Sequence, residues 1–103
     1  MIQTTPDFNP QTRKLELSVL ELAKQMKKNN ISPSFMLQLM NQLGAAQMAM
    51  SIVQKPTEIF KKLWEKRLLD LSMEAFILRN PNSFDKGIQK VCEERLTAFG
   101  YTK

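Results

Sequence analysis

A chain of 103 residues, 43% hydrophobic and 24% charged, has the length and composition of one small globular domain. Fifteen basic against ten acidic residues give a net charge of +5, there is no histidine, and the single cysteine rules out an internal disulfide framework. Most chemistry is thereby excluded: the usual general base and metal ligand is missing, a zinc site lacks its donors, and three scattered glycines build no phosphate-cradling loop.

The expectation is therefore a protein that is not an enzyme, with no cofactor, no metal and no small-molecule substrate. Lone Cys92 fits a reducing compartment and a cytoplasmic location. Met1 to Pro10 shows no basic region followed by an apolar run, so no leader is expected there. Residues 1–103 read as a single helical domain in which 1–9 form a flexible N-terminal arm.

Proline and asparagine divide the rest into four segments of helical period. Asn9-Pro10 opens a helix over 10–28, with proline in the first turn where its missing N–H is harmless. Leu15, Val19, Leu22 and Met26 form its apolar seam, widened by Leu20 and Ala23. Lys24, Lys27 and Lys28 complement the negative end of its dipole.

Ser32-Pro33 opens the second helix, over 33–54. Between Lys28 and Lys55 the chain carries no charge at all. Phe35, Leu39, Leu43, Ala46, Met50 and Val53, with Met36 and Met40, make a broad face suited to a core. Leu37, Met48 and Ile52 point roughly the other way. The small block Gly44-Ala45-Ala46 permits close helix approach or marks a break. Gln38, Asn41, Gln42, Gln47 and Ser51 interrupt the apolar run, so no transmembrane segment is expected.

Lys55-Pro56-Thr57-Glu58 ends that helix and starts a third, over 57–79. Its main stripe is Phe60, Trp64, Leu68, Leu71, Ala75 and Leu78, with Ile59, Leu63, Met73, Phe76 and Ile77 elsewhere on its circumference. Arg67, Asp70 and Glu74 share one strip close to an apolar side, either as a surface set or as a partly buried ion-pair set. Asn80-Pro81-Asn82-Ser83 is the last break. Asn82 followed by Asp85 resembles a capping box, and the fourth helix runs over 83–99 to Gly100. Phe84, Ile88, Val91, Cys92, Leu96 and Phe99 are its stripe, which makes Cys92 a buried, inert thiol.

Short connections between four such segments favour an all-α, mostly antiparallel up-down four-helix bundle. Such a bundle buries one face per helix and leaves Leu37, Met48, Ile52, Leu69 and Phe76 over: either these five form a protein interface, or an irregular bundle buries them internally. Within the same arrangement the starts of helices one and three share a pole that gathers Arg13, Lys14, Lys55, Lys61 and Lys62, the candidate phosphate contacts of a basic nucleic-acid-binding module. No recognition motif accompanies them. Elsewhere the charges interleave at i,i+4, as on a solvated helix surface.

The run from Phe35 to Leu71, with its uncharged Gln/Met/Ala segment, Lys55-Pro56-Thr57-Glu58 and Leu63-Trp64, resembles the helical N-terminal region of polyhydroxyalkanoate synthases and their granule-coating phasins. It rests on composition, one proline and one tryptophan, brings no catalytic motif, and leaves residues 80–103 without a counterpart. The resemblance implies a coat protein on a lipid or polymer surface. The residues themselves point first to a small helical interaction protein (adaptor, regulator, inhibitor or assembly factor) that binds itself or a larger protein through its uncharged, methionine-rich helix.

Overall fold

The computed structural model describes residues 10–55 and 58–101. The described chain is all-helical, without a strand. Six α-helices form where four were expected: α1 (Pro10–Lys28), α2 (Ser34–Leu43), α3 (Ala45–Gln54), α4 (Glu58–Glu65), α5 (Met73–Arg79) and α6 (Lys86–Ala98). Short 3-10 turns occupy Leu69–Leu71 and Pro81–Ser83. The expected arm over 1–9 and the Pro56-Thr57 start of the third helix lie outside the described residues. The contacts divide the chain, expected as one domain, into two compact units, residues 1–48 and 49–103.

In the first unit α1 buries Leu15, Val19, Leu22, Ala23 and Met26, the expected seam without Leu20, which is exposed. It ends in a Schellman motif. The Asn30 N–H donates to Lys27 O at 3.1 Å and the Ile31 N–H to Met26 O at 2.8 Å, with Asn30 at φ 62°. Asparagine tolerates that left-handed position better than most residues. Buried Ile31 and Met26 are its two apolar ends.

The expected helix over 33–54 is broken at Gly44. This glycine sits at φ 84° and ψ 163°, a region open essentially to glycine alone. Its N–H donates to Met40 O and closes α2, while its carbonyl accepts from the Met48 N–H at the start of α3. A Cβ placed there meets nothing within 4 Å. Glycine is needed for its backbone angles, not for the close helix approach that the small-residue block suggested.

In the second unit α5 packs chiefly against α6. It buries Met73, Glu74, Ala75, Phe76 and Ile77 in succession, so it is covered on every side. The expected third helix is interrupted between α4 and α5. The α4 end is a second Schellman motif: the Arg67 N–H donates to Trp64 O at 3.1 Å and the Leu68 N–H to Leu63 O at 2.7 Å, with Arg67 at φ 60°. Buried Ser72 then restarts the chain as a helix cap. Its hydroxyl donates to Leu69 O at 2.6 Å and its oxygen accepts the Ala75 N–H at 3.2 Å.

At α6 the cap is Asp85, whose Oδ1 accepts the Ile88 N–H at 2.9 Å. The helix therefore starts at Lys86 and not at residue 83, and the expected break at Asn80–Ser83 holds a 3-10 turn over Pro81–Ser83. Gln89 holds that turn by donating to Pro81 O and Phe84 O. A third Schellman motif ends α6: Gly100 N–H to Thr97 O at 3.0 Å and Tyr101 N–H to Leu96 O at 2.9 Å, with Gly100 at φ 82°.

Candidate functional site

The two helix breaks overturn the expected exposed stripe. Leu37 belongs to α2, Met48 and Ile52 to α3, Leu69 to a 3-10 turn and Phe76 to α5. A stripe over these residues requires an uninterrupted helical phase, and the phase resets at Gly44 and again across residues 66–72. Met48, Leu69 and Phe76 are buried, while Leu37 and Ile52 are half-buried.

The opposite side of α2 is the open one. Of its six apolar residues (Phe35, Met36, Leu37, Leu39, Met40 and Leu43) Met36 alone is buried. Phe35 is 50% exposed and Leu43 46%, with half-buried Leu39 between them. The three fall at i, i+4 and i+8, one ridge along the helix. Sequence reasoning assigned that ridge to the core. Gln38, Asn41 and Gln42 are the exposed polar residues beside it, and no charge lies on the helix.

The basic residues Arg13, Lys14, Lys55, Lys61 and Lys62 are all exposed. Their expected gathering at one pole depends on a four-helix arrangement. In the observed fold Arg13 and Lys14 belong to the first unit and the three lysines to the second.

The second unit contains one ion pair among the described residues. Arg95 Nη1 lies 2.6 Å from Glu74 Oε2 and also donates to Val53 O at 2.9 Å. Glu74 is 3% exposed. Arg67 and Asp70, read together with Glu74 as one strip, are exposed, and Arg79 donates to the Asp70 carbonyl at 2.9 Å. Cys92 is fully buried. Burial first, and the Glu74 carboxylate second, push its thiol up to about 12, against an opposing pull from Arg95. At neutral pH it is a thiol, a poor nucleophile and a poor metal ligand. No group of three or more acidic, cysteine or histidine side chains is placed to hold a metal among the described residues.

Trp64, assigned from the sequence to the core, is 43% exposed. Its indole N–H donates to Phe99 O at 3.2 Å. Its ring meets that of Phe99 edge-to-face, centroids 5.4 Å apart and planes at 81°, and Phe60 contacts Phe99 at 4.9 Å and 84°. Beside them opens a cleft of about 540 Å³ lined by Trp64, Glu65, Arg67, Asp70, Phe99 and Tyr101, among others. The Schellman turns of α4 and α6 shape it, because Arg67 and Gly100 occupy their left-handed positions. No helix among the described residues is long and apolar enough to cross a membrane.

The chain matches no protein-family model, no curated protein and no solved structure.

Proposed function

We propose that this is a small, non-enzymatic helical interaction protein that associates through α2, with a second copy of the chain as the occupant of that surface. The observation that carries this reading is the exposed ridge Phe35, Leu39 and Leu43 on a helix without charge. Water contact with such a ridge is unfavourable, and burying it recovers on the order of 1–3 kcal/mol per side chain. A chain of net charge +5 repels its own copies over most of its surface. The uncharged span between Lys28 and Lys55 is where that repulsion is weakest. Half-buried Met40 flanks the ridge, and its flexible thioether adapts to an opposing shape.

A lipid or polymer surface fits α2 less well. Helices that lie in a membrane interface carry lysine or arginine on their polar face, whereas α2 offers Gln38, Asn41 and Gln42. Nucleic acid fits it worse, for want of any cation to meet phosphate.

Amide hydrogen exchange at rising protein concentration tests the reading. Self-association through α2 slows exchange across Ser34–Leu43 and leaves Met73–Arg79 unchanged. Concentration-independent exchange in α2, with protection gained on added anionic vesicles, overturns it in favour of a lipid surface.

A further inference from the structure

We infer that the cleft beside Trp64 binds an alkylammonium group, either that of a small organic cation or that of a lysine side chain. Trp64 and Phe99, in edge-to-face contact with their planes at 81°, both line the cleft. Tyr101 contributes a third aromatic lining residue. The Trp64 N–H is already engaged by Phe99 O, so what the exposed indole offers a ligand is ring surface. An alkylammonium group is attracted to the negative face of an exposed aromatic ring, tryptophan best of all, within about 6 Å of the ring centroid.

The electrostatics agree. Glu65 and Asp70 line the cleft, and the carbonyl ends of α4 and α6 converge on it through their terminal turns. Each places negative charge or negative dipole where a cation would sit. An anion would meet two carboxylates and two helix C-termini. A volume of about 540 Å³ is within the range of small-molecule sites and exceeds what one ammonium group fills.

Arg67 is the opposing element. Its side chain lines the same cleft, and its charge disfavours a second cation. It also holds a left-handed backbone position where glycine is the ordinary residue. Arg67→Gly therefore keeps the turn, relieves its backbone and removes the competing charge.

The chain has a single tryptophan, so its fluorescence reports Trp64 alone. The test titrates the full chain with choline and with its neutral isostere 3,3-dimethylbutan-1-ol. It repeats the pair with N-acetyl-lysine methylamide and N-acetyl-norleucine methylamide, which separates a free cation from a side chain as the source. In at least one pair the charged member is expected to bind about fivefold or more tighter than its isostere. Affinity is expected to rise in Arg67→Gly and fall in Glu65→Gln/Asp70→Asn, whose substituted side chains are exposed and whose folding is checked by circular dichroism. Equal binding of charged and neutral members, no binding of either pair, or weaker binding in Arg67→Gly overturns the inference.

Discussion

Glu74 and Arg95 meet at 2.6 Å, twenty-one residues apart in sequence, with the carboxylate buried and the guanidinium shared between it and the carbonyl of Val53. One arginine thus ties α6 both to α5 and to the end of α3. A buried pair of this kind is costly to break and inexpensive to replace, because removal of one partner strands the other charge away from water. Glu74→Met or Arg95→Met alone is expected to destabilise the protein by about 3 kcal/mol. Glu74→Met/Arg95→Met together is expected to recover most of that loss. Urea unfolding of the four proteins checks this, and additive single effects would show that the pair is not a coupled unit.

Arg67 and Gly100 hold equivalent positions in equivalent turns. Arg67→Gly is expected to raise stability by about 1 kcal/mol, since a left-handed conformation strains any residue with a Cβ. Gly100→Ala is expected to lower it by a similar amount, although open space surrounds that Cβ. Thermal unfolding of both variants reads the two signs directly.

Gly44 separates α2 from α3 by its backbone angles alone. Gly44→Ala is expected to cost about 1–3 kcal/mol in the broken form, or to fuse α2 and α3 into one continuous helix over residues 34–54. Nuclear magnetic resonance shifts across 43–46 distinguish the two, and an unchanged break with unchanged stability contradicts the account of Gly44.

Cys92 gives the protein a weakness at high pH. Its thiol is raised to about 12 in the folded chain from an ordinary value of 9.0, which it keeps when unfolded. Between those values the unfolded chain has lost the proton and the folded chain keeps it, so stability falls as pH rises. The loss is full-sized only above the folded value and is absent below the unfolded one. It amounts to about 1–2 kcal/mol by pH 10. Unfolding measured from pH 7 to 11 in wild type and Cys92→Ala isolates it, because lysine and tyrosine contribute to both. Equal slopes would mean that the thiol ionises without a folding penalty.

Some of this organisation is legible in the residues and some is not. α1 could be read with its ends and its seam, because Leu15, Val19, Leu22 and Met26 keep one phase through an unbroken helix. The inert character of Cys92 follows from its place between Ile88 and Leu96 on one stripe of α6. The ridge Phe35, Leu39 and Leu43 of α2 was assigned to the core and is open, although Met36 on the same broad face is buried as expected, because Gly44 was compatible with either a close contact or a break, and only the break resets the phase. The Trp64 cleft was hidden for the same reason. Its turn places arginine where glycine would have announced a helix end, so Leu63 to Leu78 reads as continuous. Ser72 was the available signal for the restart, a small polar residue before Met73 and Glu74. Glu74 itself lay close to an apolar side in the helical projection, but nothing in a linear sequence names Arg95 as its partner.

Light scattering coupled to size exclusion, over a wide range of protein concentration and at low and high salt, tests the central claim most directly. Wild type is expected to form a defined oligomer that persists at high salt, and Phe35→Ser/Leu43→Ser, changed where both side chains are exposed, to remain a folded monomer. A wild type that is monomeric at every concentration, or an oligomer unaffected by that double substitution, would contradict association through α2.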